Sequence, residues 1–304
     1  MHSQEFAPSV GRAYPLEDGL RLILAPNPSP MTHLGTNTYL LGQTQIAVID
    51  PGPDNDAHLA AILASVAPHR ISHIIVTHSH LDHSSLAKRL ADQTGAKIYA
   101  FGTHLAGRSS VMADLAAKGL AGGGEGIDHS FAPDVILKDG DHLKGNEWSL
   151  TAVHTPGHIG NHVSYIWNDA VFTGDHVMGW ASSLVSPPDG DLTDFMQSCE
   201  KLQNIQARVF YAGHGAPIHD PQGRLAWLID HRNAREAQIL AALMQGSADA
   251  ATLTRKIYTD IPPELALAAE RNVFAHLVDL LEKRRITTRS QLSSQAIFRL
   301  LKEK

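Results

Sequence analysis

Five predicted β-strands end in side chains that can bind metal ions, and this pattern limits the fold more than any other feature of the sequence. Each strand is a short apolar run, and a His or Asp closes the run or stands in the loop that follows. These residues are Asp50, His78, His158, Asp175 and His214. Loops on a rigid scaffold are the usual place for binding and catalytic groups. The pattern therefore predicts a site formed by loops at the ends of strands.

The loop after the predicted strand 71–77 carries several ligand-type side chains in a short stretch. They are His78, His80, Asp82 and His83. The first two histidines, two residues apart in an extended segment, can converge on one ion. The Asp–His pair, one turn further on, can face a second ion. Together with the His, Asp and His at the later strand ends, this set of nitrogen and oxygen ligands suits two borderline metal ions with positions open for water.

Short apolar runs predict strands at 20–24, 38–50 (with a turn at Gly42–Gln43), 71–77, 96–101, 150–154, 162–167, 169–173 and 207–211. Helical spacing predicts helices at 58–67, 86–94 and 192–205. The run 104–133 is predicted to be irregular. Strands first follow one another and then alternate with helices, so the class is α/β or α+β with a mixed sheet.

Charge divides the chain into two parts. Residues 1–230 carry 13 Lys and Arg against 23 Asp and Glu, a net charge of -10, whereas residues 231–304 carry 12 against 8, a net charge of +4. From about Pro221 the pattern becomes helical. We therefore predict two domains with different roles, one at 1–230, which contains the ligand-type residues, and one at 231–304.

Composition indicates the cellular compartment and excludes several classes of protein. The chain has 304 residues, of which 43% are hydrophobic and 18% charged, which excludes a disordered or fibrous protein. No apolar run approaches the roughly 20 residues that cross a bilayer, so we expect no membrane association. The N-terminus lacks a secretory pattern, and a single cysteine, Cys199, fits a reducing compartment. We expect a cytoplasmic protein; the sequence does not indicate its oligomeric state.

Five short motifs resemble those of the metallo-β-lactamase superfamily, whose hallmark is His-x-His-x-Asp-His followed by His, Asp and His on separate loops. They are VIDPG at 48–52, HSHLDH at 78–83, HTPGH at 154–158, FTGD at 172–175 and YAGHG at 211–215. The resemblance extends from Leu34 to about His219. One departure, Ser84–Ser85 where many relatives have glycines, leaves the ligand residues intact.

The resemblance implies an α+β protein with a four-layer αββα sandwich and a site at one edge. It also implies a ligand set. One metal ion is held by His78, His80 and His158, the other by Asp82, His83 and His214, and Asp175 bridges them. Asp50 braces the ligand loop without binding metal. The ions are divalent, with zinc expected and iron or manganese as alternatives.

The ligand set predicts hydrolysis by a metal-bound hydroxide. Zinc lowers the pKa of a bound water to about 7, so the nucleophile exists at neutral pH. A metal ion also polarises the substrate oxygen, and Asp82 is the candidate that orients the nucleophile. The sequence has no Gly-x-Ser-x-Gly motif, and Cys199 stands in no nucleophile motif, which argues against covalent catalysis.

Three further residues are candidates for substrate contacts. Asn37 either lines the mouth of the site or has a role in a turn or strand end. Trp180 and Ser182 follow Asp175 closely and either contact substrate or belong to a packed loop.

The C-terminal part resembles the winged-helix module of one branch of the superfamily. Predicted helices at 224–244 and 252–258, a helix that opens at Pro262–Glu264 and a hairpin over 286–300 carry this resemblance. Members of the branch include endoribonucleases and acyl-carrier-protein thioesterases. We predict a hydrolase of an ester or thioester in a small molecule or a carrier-bound acyl chain. One alternative is an endoribonuclease for single-stranded RNA, which the acidic catalytic part disfavours, and another is a non-catalytic metal-binding protein.

Overall fold

Two β-sheets face each other in a computed structural model that describes residues 6–120, 122 and 126–301. The first sheet has the order β1 (Ala13–Glu17), β2 (Leu20–Leu24), β3 (Asn37–Leu41), β4 (Gln45–Ile49), β5 (Arg70–Ile75), β6 (Lys97–Ala100) and β7 (Val135–Ile136). Neighbours are antiparallel from β1 to β4 and parallel from β4 to β7. The sheet is therefore mixed, as the sequence predicted.

The second sheet has the order β12 (Val209–Ala212), β11 (Ala170–Gly174), β10 (Val163–Trp167), β9 (Ser149–His154) and β8 (His142–Lys144). Only the pair β11–β12 in this sheet is parallel. Strands β1, β7 and β8 were not predicted from the sequence. Strands β7 and β8 are too short to show a pattern, and β1 is partly exposed.

Alternation along the strands builds the core between the sheets. In β2, Leu20, Leu22 and Leu24 point into the space between the sheets, and Ile23 points to the opposite face. Tyr165 and Phe172 from the second sheet fill the same space. This period of two is what a strand with two covered faces requires.

Helices cover the outer face of each sheet. On the first sheet lie α1 (Asp56–Val66) and α3 (Ala87–Thr94), and on the second lie α5 (Leu192–Gln203) and α6 (Pro221–Met244). Asn55, Asp191 and Asp220 cap α1, α5 and α6 by accepting hydrogen bonds from backbone N–H groups. The predicted αββα layering is confirmed.

The C-terminal part contains α7 (Ala250–Ile257), a 3-10 turn at Pro263–Leu265, α8 (Ala266–Glu282) and a hairpin of β13 (Ile286–Thr288) and β14 (Phe298–Leu300). These elements share an apolar core with the second half of α6. The predicted helices and terminal hairpin are confirmed. The proposed division between residues 230 and 231 falls inside α6 and stays a prediction.

A helix lies within the run that we predicted to be irregular. This helix, α4 (Ser110–Ala117), packs Met112 and Leu115 against the C-terminal core. Its eight residues give too short a periodic pattern to stand out from the polar and glycine-containing segments around it. Among the described helices, none is both long and apolar enough to cross a membrane.

Candidate metal centre

Loops at one edge of the two sheets bring the predicted ligands together. His78 and His80 follow β5, and the short helix α2 (Leu81–Ser84) carries Asp82 and His83. From the second sheet, His158, Asp175 and His214 follow β9, β11 and β12, respectively. All of these side chains are buried except that of Asp82, which is 13% exposed. Residues up to 136 positions apart in sequence therefore form one cluster.

His78, His80 and His158 form the first ligand group. Their candidate ligand atoms lie within 4.8 Å of one another. The Nε2 atom of His158 lies 3.0 Å from Nδ1 of His80, and the Nδ1 atom of His158 donates to the carbonyl oxygen of Leu184 at 2.7 Å. This donation leaves Nε2 as the atom of His158 that faces the cluster.

Asp82, His83 and His214 form the second ligand group, with candidate ligand atoms again within 4.8 Å of one another. The Nε2 atoms of His83 and His214 lie 3.4 and 3.3 Å from Oδ2 of Asp82. His214 donates from Nδ1 to the carbonyl oxygen of Gly35 at 3.1 Å. Both histidines therefore turn Nε2 toward the shared space.

Asp175 lies between the two groups. Its Oδ1 is 3.4 Å from Nε2 of His83, and its Oδ2 is 3.2 Å from Nε2 of His214 and 3.9 Å from Nε2 of His158. With His78 and His83 it forms a third group of the same compactness. The overlap of the three groups places Asp175 where one carboxylate can serve both ligand sets.

Several buried polar atoms in the cluster lack hydrogen-bond partners. They are Nε2 of His78, Oδ1 of Asp82 and both carboxylate oxygens of Asp175. A buried carboxylate without hydrogen bonds is costly unless a cation compensates it. Imidazole nitrogens and carboxylate oxygens are also the ligands that zinc and similar ions take in proteins. The residues of this cluster therefore fit divalent metal ions.

Asp50 holds the ligand loop through hydrogen bonds with Thr77 and His83. Its Oδ1 accepts the backbone N–H of Thr77 and its Oδ2 accepts the Thr77 hydroxyl, both at 2.7 Å. The same Oδ2 lies 2.9 Å from Nδ1 of His83. Asp50 has a φ of +50°, a conformation that Asp and Asn adopt more readily than most residues. Its position corresponds to the bracing role that the family resemblance implied.

The two groups differ in the charge of their histidines. Burial, together with the neighbouring His158, lowers the pKa of His80 to about 3, so the imidazole is neutral. Burial also opposes protonation of His214, but Asp175 and Asp82 outweigh it and raise the pKa to about 10. The pKa values of Asp82 and Asp175 lie well below their usual range, because the attraction of His83 and His214 exceeds the effect of burial.

Gly213 allows the loop after β12 to approach the cluster closely. A Cβ atom on this residue would overlap Oδ1 of Asp175 and would lie 2.7 Å from Cε1 of His83. The backbone N–H of Gly213 donates to the carbonyl oxygen of Gly174 at 2.8 Å, which joins the loops of Asp175 and His214. Gly213 of the YAGHG motif therefore cannot carry a side chain without displacing Asp175 or His83.

A cleft of about 440 Å³ opens beside His80 and His158. Its apolar wall contains Leu105, Ala116, Leu120, Ile127, Leu184 and Pro188. Its polar side contains Arg108, whose guanidinium pairs with Asp189 at 2.6 Å. The wall formed by α4 and its flanking segments places apolar side chains next to the ligand cluster.

The three candidates for substrate contacts lie outside the residues that line this cleft. Asn37 is fully buried and donates to the carbonyl oxygens of Ala212 and Gly215 at 3.0 and 2.9 Å. These hydrogen bonds support the loop that carries His214. Trp180 is partly exposed and stacks on His33 with ring centroids 4.9 Å apart. Ser182 is half-buried in the segment that follows.

Several residues that support the cluster were not predicted from the sequence. Thr77 joins Asp50 to the ligand loop, and Thr36 donates to Oδ2 of Asp82 at 3.1 Å. Thr77 directly precedes His78, and this adjacency is a local signal that could have identified it. The Arg108–Asp189 pair spans 81 positions and left no local signal.

Comparisons with known proteins agree with this architecture. Residues 31–214 match the metallo-beta-lactamase superfamily, and residues 250–293 match the beta-lactamase associated winged helix domain. A beta-lactamase-like protein 2 homolog from Drosophila melanogaster is 32% identical over 85% of this chain and 86% of its own length. An atrochrysone carboxyl ACP thioesterase from Aspergillus fumigatus is 30% identical over 86% of this chain and 79% of its own length.

A solved structure shows the same fold over the whole length. It is a beta-lactamase domain protein from Burkholderia ambifaria, with a TM-score of 0.79 at 20% identity, covering 98% of this chain and 96% of that protein. The family match over residues 31–214, together with the relatives at 30% identity or more, identifies the chain as a hydrolase of the metallo-beta-lactamase superfamily with a beta-lactamase associated winged helix domain.

Proposed function

We propose that the chain is a dinuclear metal-dependent hydrolase that cleaves a thioester or ester whose acyl group belongs to a small molecule or a carrier. The observation that carries this proposal is the position of Asp175. It is fully buried, its carboxylate oxygens accept no hydrogen bond, and they face histidines of both ligand groups. A carboxylate in this setting is stabilised by cations on either side of it.

In this proposal each ligand group would hold one ion. His78, His80 and His158 would hold the first, Asp82, His83 and His214 would hold the second, and Asp175 would serve both groups. The nitrogen-rich set suits zinc, with iron or manganese as alternatives. When bound, the ions would supply a Lewis acid for the carbonyl oxygen and would lower the pKa of a water molecule to about 7.

The protein side chains supply the orientation of the attacking water. Oδ2 of Asp82 is fixed by the Thr36 hydroxyl, whereas Oδ1 has no hydrogen-bond partner. We assign Oδ1 the role of accepting a hydrogen bond from the attacking water and thereby orienting it toward the substrate.

The cleft supports an acyl substrate. Leu105, Ala116 and Leu120 give it an apolar wall next to His80 and His158, and its volume of about 440 Å³ suits a moderately sized acyl group. The atrochrysone carboxyl ACP thioesterase from Aspergillus fumigatus matches 86% of the chain. We therefore place the acyl group along the α4 wall, with its carbonyl at the metal centre.

The endoribonuclease alternative has weaker support. Arg108 lines the cleft, but Asp189 compensates its charge at 2.6 Å. Lys283 pairs with Glu236 and Asp279 at 3.0 and 2.7 Å. Because phosphate binding relies on cationic side chains, paired cations and a catalytic part with a net charge of -10 disfavour RNA. The alternative of a non-catalytic metal-binding protein does not explain the open cleft beside His80 and His158.

The test is a substrate panel with controlled metal content. The chain is stripped with a chelator, reloaded with Zn²⁺, Mn²⁺ or Fe²⁺, and assayed on acyl thioesters, lactones, phosphodiesters and single-stranded RNA. We expect thioester hydrolysis that disappears on stripping and returns on reloading. Asp169→Asn, which changes an exposed carboxylate paired with Arg208, is the control and keeps the rate. Cleavage of RNA with inert thioesters would overturn the substrate assignment.

A further inference from the structure

The segment 183–185 orients one of the candidate metal ligands. The carbonyl oxygen of Leu184 accepts the Nδ1–H of His158 at 2.7 Å, so it fixes both the tautomer and the direction of the imidazole ring. A backbone carbonyl can do this only if its own segment is held in place. The residues on either side of Leu184, Ser183 and Val185, are both bonded to side chains of the C-terminal helices.

Arg232 on α6 holds the first of these residues. Its Nη2 donates to the carbonyl oxygen of Ser183, and its Nη1 donates to Oδ1 of Asn272 at 3.0 Å. The side chain is only 2% exposed, and its guanidinium lies 5.1 Å from the centre of the Phe195 ring. A buried guanidinium requires its hydrogen bonds, since losing them leaves a desolvated charge without compensation.

Asn272 on α8 holds the second residue. The Oδ1 atom of Asn272 accepts the backbone N–H of Val185 at 3.0 Å and also accepts the Nη1–H of Arg232. One oxygen atom therefore joins α8, α6 and the segment 183–185, whose Leu184 carbonyl accepts from the ligand histidine. Asn272 is 8% exposed, so water does not compete freely for these bonds.

We propose that Arg232 and Asn272 are positioning residues for the metal centre. They clamp Ser183 and Val185, so that the carbonyl of Leu184 keeps the Nε2 atom of His158 directed at the first ligand group. This inference rests on the proposed metal site and assigns the C-terminal helices a role in it. Hydrogen-bond partners of metal-binding histidines typically change metal affinity or activity by 10- to 100-fold when they are removed.

The test compares three variants of the full chain. Asn272→Leu removes the shared acceptor, whereas Asn272→Asp keeps an acceptor oxygen for both donors. Thr193→Val is the matched control, because it removes a hydrogen bond between α8 and the catalytic part that does not involve the segment 183–185, from the Thr193 hydroxyl to Asp279 at 2.7 Å. Each variant is titrated with Co²⁺ under chelator competition, and its visible absorption spectrum is recorded.

For Asn272→Leu we expect a metal affinity lowered by about tenfold and a changed Co²⁺ spectrum. Asn272→Asp and Thr193→Val keep the wild-type affinity and spectrum. If Asn272→Leu does not fold, Asn272→Ala takes its place in the same comparison. A wild-type affinity and spectrum in the Leu or Ala variant would overturn the inference, as would equal losses in Thr193→Val. Failure of the wild-type chain to bind metal would instead overturn the proposed metal site.

Discussion

Oδ2 of Asp50 lies 2.9 Å from Nδ1 of His83, so a residue at the end of β4 fixes the orientation of a ligand from the loop after β5. A carboxylate in this place keeps the proton on Nδ1 and leaves Nε2 of His83 for a metal ion. The same carboxylate also accepts the N–H and hydroxyl of Thr77. This single side chain therefore determines the geometry of the ligand loop.

Asp50→Asn tests this relationship. Asn tolerates the φ of +50° at this position, so the backbone is preserved while the anionic acceptor is lost. We expect metal affinity or hydrolytic rate to fall by about 10- to 100-fold, because the second ligand group loses its orienting partner. Chelator competition and steady-state kinetics measure the two quantities. An unchanged metal affinity together with an unchanged rate would show that Asp50 does not orient the second ligand group.

Gly213→Ala tests the close approach of two ligand loops. The added methyl would overlap Oδ1 of Asp175 and crowd His83, so we expect strongly reduced metal content even if the protein folds. Gly95→Ala is the control: its φ is +72° and no atom lies within 4 Å of the added Cβ. There we expect a loss of about 1–2 kcal/mol in stability, with unchanged metal content. Equal metal content in both variants would contradict the argument from contact distance.

The strand-end pattern was sufficient to predict the cluster from sequence, because Asp50, His78 and Asp175 each follow a short apolar run that is recognisable without neighbours. The apolar run at 20–24 likewise predicted the strand β2. These features are local, and local patterns are what a sequence displays.

The rest depends on contacts between distant segments. Asn37 reaches Ala212 and Gly215 across more than 170 positions, and Arg232 reaches Ser183 across 49. Nothing next to Asn37 or Arg232 in the sequence identifies those partners. The cleft wall depends on α4, whose Met112 is held by the C-terminal core, so its helical state is stabilised by tertiary packing that a short window does not reveal.

His58 provides a test of stability against pH. Burial lowers its pKa from 6.5 to about 4, with a smaller opposing effect from the backbone at Pro51. The unfolded chain therefore binds a proton at higher pH than the folded chain, and stability falls as pH is lowered from about 6.5 to 4. In the metal-free wild type, the titration of His58 is expected to lower the free energy of unfolding by roughly 1–2 kcal/mol between pH 7 and pH 5. His58→Gln lacks this contribution.

Urea unfolding at the two pH values measures this difference. His69→Gln, at an exposed position, controls for the substitution itself and is expected to keep the pH dependence of the wild type. Because the metal-site histidines are the same in all three proteins, they cancel in the comparison. An identical pH dependence in wild type and His58→Gln would show that His58 is not the group responsible.

The basic end of α8 tests the substrate assignment. Lys283 already pairs with Glu236 and Asp279, so we expect the triple variant Lys283→Ala, Arg284→Ala, Arg285→Ala to hydrolyse thioesters at the wild-type rate. RNA binding by the wild type is expected to be weak at physiological salt. Submicromolar RNA affinity that falls with a log–log salt slope of about -0.7 per phosphate, and is lost in the triple variant, would favour the nuclease.

The assignment of two metal ions with Asp175 between them is tested by the metal content of the purified chain and of Asp175→Ala, measured by elemental mass spectrometry after reloading and gel filtration. Because Asp175 faces both ligand groups, we predict two ions per wild-type chain and fewer than two in the variant, with hydrolysis nearly abolished. A wild-type chain without bound metal, or a variant that retains both ions and the full rate, would contradict the assignment of a two-ion site with Asp175 between the ions.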